Sequence, residues 1–306
     1  MTRVLVATDK PFAAIAVEGI REVVEAAGME LLLLEKYTEK QQLLEAVKDV
    51  DALIVRSDLI DAEVLQAAGQ LKIVVRAGAG YDNIDLGAAT ARNICVMNTP
   101  GQNSNAVAEL VFGLLVYGLR AFFSGASGAE LKGKKLGILA YGNVGRNVAR
   151  IAKGFGMEIY AYDAYTGTQV IENDGVKAVA SPEELFKTCR IVSLHIPATA
   201  ETKNSINYDL LSLMPEGALV VNTARKEVID EAGLARIMEE RTDFKYLSDI
   251  KPARDAEWTA KYPTRYFATP KKTGAQTAEA NIYAGIAAAR QIVDFIQNGN
   301  TQFKVN

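Results

Sequence analysis

The sequence is poor in the residues that carry most acid–base and metal chemistry. Its 306 residues include one histidine, His195, and two cysteines, Cys95 and Cys189. The cysteines are 94 positions apart and form no metal-ligand pair, so no metal is expected, and such sparing use points to a reducing, cytoplasmic compartment. Positive charge is not in excess: 34 Lys and Arg against 37 Asp and Glu leave a net charge of −3. Without a basic tail, that balance argues against nucleic acid as the main partner. Long apolar runs are also missing. The longest, Leu110–Leu119, is too short to span a bilayer and ends at Arg120, so no membrane role is expected and the run reads as a buried or interface helix. The opening MTRVLVATDK lacks the apolar core of a signal peptide and reads as a first strand. There is no short-period repeat and no low-complexity tract.

What remains is a chain that can bury large cores, 49% hydrophobic and 23% charged. Its length suggests about two domains. Short strands (RVLVAT, MELLLLE, ALIVR, LKIVVR, ICVMN) alternate with helical segments near 15–27, 40–47 and 61–68. A long apolar helix is expected over 106–123, followed by the joint SGASG at 124–128. A second series of strands follows (KLGILA, MEIYAYD, RIVSLHIP, GALVVNTAR, YLSDI, YFATP), with a last helix near 276–298 capped by Gly299. This rhythm predicts an α/β protein with two Rossmann-like, doubly wound parallel-sheet domains and a cleft between them where a substrate would sit.

The stretch KKLGILAYGNVGRNVARIAKGFGMEIYAYD (134–163) carries the clearest chemical signal. Strand, glycine-punctuated turn, helix, strand and terminal acid follow in the order that holds a dinucleotide. The turn lets backbone N–H groups approach a pyrophosphate at the positive end of the helix. Asp163 lies 21 residues after Gly142, where a carboxylate accepts hydrogen bonds from ribose hydroxyls and repels a 2′-phosphate. NAD is therefore favoured over NADP. The fingerprint departs from G-x-G-x-x-G/A at its first glycine, here Ala140, while Gly142 and Gly145 are kept. An ordinary crossover that binds nothing is the alternative.

Other candidates stand at strand ends, where ligands sit in open α/β sheets. His195 is the only available histidine base, or a ring that packs beside a cofactor. Arg225, closing ALVVNTAR, has the fork that grips a carboxylate, although a surface loop arginine reads the same. Arg56 and Arg76 close neighbouring strands and suggest an anionic substrate, or else are solvated loop residues. Asp249 ends YLSD, and Lys271 and Lys272 follow YFATP. Lysines in that position are most often solvated charge.

Taken together, VVRAGAGYDNID, NTPGQNSNAVAEL, the dinucleotide turn, VSLHIPATAETKNSIN, NTARKEVIDEAGL and ATPKKTGAQTAEA resemble the D-isomer-specific 2-hydroxyacid dehydrogenases across nearly the whole chain. The resemblance implies a discontinuous substrate-binding domain, 1–98 with 277–306, and an NAD-binding domain, 99–276. It implies a homodimer formed through the NAD-binding domain, for which the apolar helix is suited, and a small anionic partner as substrate. Cofactor contacts would come from Ala79, Gly142, Asn143, Val144, Gly145, Asp163, His195, Ile196, Pro197, Thr223, Ala224, Asp249 and Gly274, with Asp249 orienting the nicotinamide carboxamide. Substrate contacts would come from Arg56, Ser57, Arg76, Ala77, Gly78 and Asn105, the two arginines falling where relatives acting on phosphorylated 2-hydroxy acids grip phosphate. Larger relatives carry a C-terminal regulatory domain, which a chain ending at Asn306 is expected to lack.

The departures from the family pattern are informative. The catalytic histidine position, after Thr269-Pro270, holds Lys271. The glutamate expected five residues after Asp249 is replaced by Arg254, with Asp255 or Glu257 as nearby substitutes. Lysine can take and return the hydroxyl proton if its pKa falls from ~10.4 towards ~7–8. A neighbouring cation and desolvation favour that fall, and a carboxylate opposes it. Arg225 would supply the cation and bind the substrate carboxylate. Lys271 as acid–base and Arg225 as substrate ligand are thus the expected catalytic pair. The alternatives are a glyoxylate or hydroxypyruvate reductase, another D-2-hydroxyacid dehydrogenase, and a non-catalytic NAD-sensing corepressor-like protein.

Overall fold

A computed structural model describes all residues 1–306. The chain divides into two compact units: Met1–Asn103 with Gln276–Asn306, and Ser104–Ala275. The first crossing lies beyond the expected 98/99 joint because the chain after residue 98 stays tied to the first unit. The Thr99 N–H donates to the Gly78 carbonyl at 3.0 Å, and the Asn98 side chain donates to the Ala79 carbonyl at 2.6 Å.

In the first unit, β1 (Arg3–Thr8), β2 (Glu30–Glu35), β3 (Ala52–Val55), β4 (Ile73–Arg76) and β5 (Cys95–Asn98) form one parallel sheet in the order β2-β1-β3-β4-β5. Helices α1 (Ala14–Ala26), α2 (Lys40–Ala46), α3 (Ala62–Ala67) and α4 (Leu86–Ala91) make the crossovers. Alternate side chains of β1 enter opposite cores, Val4 and Val6 on one face and Leu5 and Ala7 on the other. That is the period-two signature of a strand buried on both sides.

The second unit begins with α5 (Ser104–Leu119) and continues through β6 (Lys135–Leu139), α6 (Asn143–Gly154), β7 (Glu158–Tyr162), α7 (Thr168–Asn173), β8 (Lys177–Ala178), α8 (Pro182–Thr188), β9 (Ile191–Leu194), α9 (Tyr208–Ser212), β10 (Leu219–Asn222), α10 (Glu231–Glu240), β11 (Lys245–Ser248), α11 (Asp255–Lys261) and β12 (Tyr266–Ala268). Its seven parallel strands run β12-β11-β10-β9-β6-β7-β8. The order reverses between β6 and β9, which brings the dinucleotide turn after β6 next to the loop after β9, the topological switch point of such sheets. The α/β class and the two parallel sheets agree with the sequence reading. The last helix, α12 (Ala278–Asn298), packs with α1 in the first unit, and Gly299 closes it at φ 69° as the expected left-handed cap.

The apolar helix differs from expectation at its end. It was expected to reach Phe123, but α5 stops at Leu119, and Ala121, Phe122 and Phe123 turn left-handed at φ 49°, 57° and 56°. Its last carbonyls are satisfied from elsewhere: Gly118 accepts from Lys245 Nζ at 2.7 Å and Leu119 from the Ala129 N–H at 2.8 Å. No helix is long and apolar enough to cross a membrane.

Candidate active site

The dinucleotide turn is built by one exclusion. A Cβ on Gly145 would stand 2.3 Å from the Ala140 carbonyl oxygen, so only glycine lets α6 start this close to β6. Ala140 itself is left-handed, at φ 79°, the conformation in which glycine is normally used. Gly142 caps α6, and a Cβ there would meet open space within 4 Å. The exposed face of the turn, with Gly142, Asn143 and Val144 at the positive end of a 12-residue helix, therefore leaves room for a phosphate.

Asp163 closes the other side. Its carboxylate accepts from the N–H groups of Tyr141 (2.6 Å), Thr166 (2.7 Å) and Tyr165 (2.8 Å). Burial pushes its pKa up, but these donors outweigh burial and hold it below the usual carboxylate range. The result is a fixed negative charge joined to the turn at Tyr141.

At the ends of β9 and β10 the loops carry His195, Ile196 and Pro197, and Thr223, Ala224 and Arg225. Ser193 Oγ lies 2.9 Å from His195 Nε2. Burial drives the His195 pKa down, to about 3. Part of the residue remains accessible, and the imidazole is neutral at neutral pH and is a poor proton acceptor. Thr223 Oγ1 is buried without a hydrogen-bond partner, an orphan that a bound polar group would satisfy. Asn222, which sequence reasoning missed, shapes this loop. Its Oδ1 accepts the Ala224 N–H at 3.0 Å, and its Nδ2 donates to the Arg225 carbonyl at 3.0 Å. Arg225 is half-buried, donates to the Ala224 carbonyl, and forms no ion pair. A fork held this way keeps donors for a carboxylate.

The loop after β12 carries Lys271. Its side chain is exposed and has no carboxylate paired to it. The expected substitutes for the missing glutamate are engaged elsewhere: Asp255 with Lys251 (2.8 Å) and the Tyr266 hydroxyl (2.8 Å), Glu257 with Arg254 (3.6 Å). The desolvation expected around Lys271 is not supplied by its own unit, because no neighbour covers it. Asp249 is 1% exposed, and its carboxylate accepts from Thr269 and Thr273 through Oδ1 and from the Gly274 N–H through Oδ2.

In the first unit, Arg56 and Arg76 stand on adjacent strand ends, with Arg76 Nε donating to the Arg56 carbonyl at 3.0 Å. Arg56 is half-buried and donates to the carbonyls of Lys10 (2.9 Å) and Pro11 (3.2 Å) and to Asn281 Oδ1 (2.7 Å). Burial pulls its pKa down, against the upward pull of Asp58 and Asp9. Much of its fork is thus spent inside the unit. Arg76 lies over Gly78, where a Cβ would stand 1.5 Å from its guanidinium. Ser57 and Ala79 are exposed, and Ala77 is buried with its N–H on the Val55 carbonyl (2.8 Å). Asn105, expected at the substrate, bonds to Glu109 (2.7 Å) and Arg150 (2.6 Å) and so ties α5 to α6.

Residues 121–264 match the model of the D-isomer specific 2-hydroxyacid dehydrogenase NAD binding domain. A D-3-phosphoglycerate dehydrogenase of Methanocaldococcus jannaschii is 34% identical over 94% of this chain, which spans 56% of that relative's length. A hydroxypyruvate reductase of Thermotoga maritima is 36% identical over 86% of this chain and 90% of its own. The chain belongs to the D-isomer specific 2-hydroxyacid dehydrogenase family. The crystal structure of NAD+-bound 3-phosphoglycerate dehydrogenase from Entamoeba histolytica superposes on this dehydrogenase with a TM-score of 0.87 at 50% identity, covering 100% of this chain and 98% of that one. The family's NAD-binding domain therefore lies in the second unit. The open turn, the fixed Asp163 carboxylate and the orphaned Thr223 hydroxyl fit NAD.

Proposed function

We propose that this dehydrogenase oxidises 3-phospho-D-glycerate to 3-phosphohydroxypyruvate, the first step of phosphorylated serine biosynthesis, acting as a homodimer in the cytoplasm. Bound NAD supplies the hydride acceptor. Lys271 takes the proton of the 2-hydroxyl as C2 gives up its hydride, and returns it in the reverse direction. Arg225 binds the substrate carboxylate and polarises the 2-oxygen. Arg76 is the principal phosphate ligand, and the Ala77–Ala79 backbone assists at the carboxylate. Asp163 sets the preference for NAD over NADP through its charge. Desolvation of Lys271, needed for a lysine base, would come from the bound substrate and cofactor.

The observation that carries this reading is Lys271: exposed, unpaired by any carboxylate and following Thr269-Pro270. The test is NADH formation at alkaline pH, with product removed by a coupled step, from 3-phosphoglycerate and from unphosphorylated glycerate. Preference for the phosphorylated acid supports the proposal. The similarity to a hydroxypyruvate reductase over 86% of this chain favours a second reading, which preference for the unphosphorylated acid would establish.

A further inference from the structure

Asp249 stands at the end of β11, 1% exposed, and all four of its side-chain contacts come from residues 269–274. Oδ1 accepts from the Thr269 hydroxyl, the Thr273 N–H and the Thr273 hydroxyl, each at 2.8 Å. Oδ2 accepts the Gly274 N–H at 2.7 Å. The contacts therefore begin before Lys271 and end after it. Thr269 Oγ1 is also 2.8 Å from the Lys271 carbonyl, so its single proton is shared between the carboxylate and the backbone of that lysine. At the far end the fit is close: a Cβ on Gly274 would stand 2.9 Å from Oδ2 and 3.4 Å from Val107.

A buried carboxylate is costly unless donors satisfy it, and charge-assisted bonds are the strong ones. Four such bonds on a six-residue segment leave its backbone little freedom, whereas the Lys271 side chain is exposed and only its carbonyl is held, by the Thr269 hydroxyl. The loop's order is thus imposed from beneath.

We infer that Asp249 is a positioning residue for Lys271: it clasps both sides of the loop through Thr269, Thr273 and Gly274, and so presents the lysine side-chain nitrogen to the 2-oxygen of the substrate. The inference rests on the acid–base role proposed for Lys271. It assigns Asp249 a task besides the expected contact with the nicotinamide carboxamide, and gives Thr273 a part in turnover without contact to substrate.

Thr273→Val removes one hydroxyl donor at nearly constant shape, and Thr273→Ser restores it. Steady-state kinetics with 3-phosphoglycerate, and calorimetric titration with NAD+, separate turnover from cofactor binding. Thr273→Val is expected to lose roughly tenfold to a hundredfold in kcat, with KM and the NAD+ Kd within about twofold of the parent, and Thr273→Ser is expected to recover turnover. If Thr273→Val does not fold, Thr273→Ala is read by the same criteria. Unchanged kcat overturns the inference, as does an NAD+ Kd that weakens in step with kcat. Lys271→Ala separates the two levels. Full turnover there defeats the acid–base reading itself, whereas collapse there beside an unaffected Thr273→Val defeats only the clasp.

Discussion

The Ala140 carbonyl and Gly145 are in such close apposition that a Cβ on the glycine would stand 2.3 Å from the oxygen. The two residues carry opposite burdens: Gly145 is forced by space, whereas Ala140 adopts a left-handed backbone without being glycine. Gly145→Ala is expected to destabilise the protein by about 1–3 kcal/mol and to weaken NAD+ binding. Ala140→Gly releases the left-handed strain and is expected to stabilise by about 0.5–1 kcal/mol after glycine's entropy cost. Chemical denaturation of the two variants checks both signs.

Asp163 is expected to govern cofactor choice. Asp163→Asn removes the charge that repels a 2′-phosphate, and its one remaining carbonyl oxygen can accept either from Tyr141 or from Tyr165 and Thr166, so the amide NH2 faces donors on the other side. The ratio of kcat/KM for NAD+ to that for NADP+ should fall at least roughly tenfold, about 1.4 kcal/mol. A ratio that stays put would remove Asp163 from specificity.

The two arginines of the first unit are expected to separate. Arg56→Ala strands the carbonyls of Lys10 and Pro11 and the side chain of Asn281, and should cost about 1–3 kcal/mol of stability. Arg76→Lys loses the Nε donor to the Arg56 carbonyl and should raise the KM for the phosphorylated substrate. Thermal unfolding beside steady-state kinetics distinguishes the two effects.

These arginines mark how far the sequence could be read. Strand ends, the turn and the βαβ rhythm were legible because parallel strands buried on both faces are written as continuous apolar runs. The spacing of Gly142, Gly145 and Asp163 is equally local. What the strand-end arginines hold was not legible, since the partners of Arg56 lie 45, 46 and 225 residues away in sequence. For the same reason the donors to Asp249 were not legible: nothing near YLSD announces Thr269, Thr273 and Gly274. The early end of α5 was hidden because Ala121–Phe123 has a helix-compatible composition, and carbonyl partners at Lys245 and Ala129 ended the helix instead. The two-residue β8 and the six-residue α4 were too short to show a period.

His195 gives the protein a predictable acid response. Its folded pKa is depressed to about 3, below the ordinary ~6.5. Below that ordinary value the unfolded chain takes up a proton that the folded ring refuses, so stability falls as pH drops from about 6.5 towards 3 and is complete above 6.5. Allowing for its partial exposure, the loss by pH 5 should be about 1–2 kcal/mol. His195→Gln should flatten that part of the curve, as read from urea unfolding at pH 7 and pH 5.

Proton transfer by Lys271, as proposed, is read most directly from kcat for NADH formation from 3-phosphoglycerate by Lys271→Ala beside the parent. Loss of a positioned acid–base group predicts a fall of about 10²–10⁴-fold with the NAD+ Kd preserved. Turnover equal to the parent's would contradict the account.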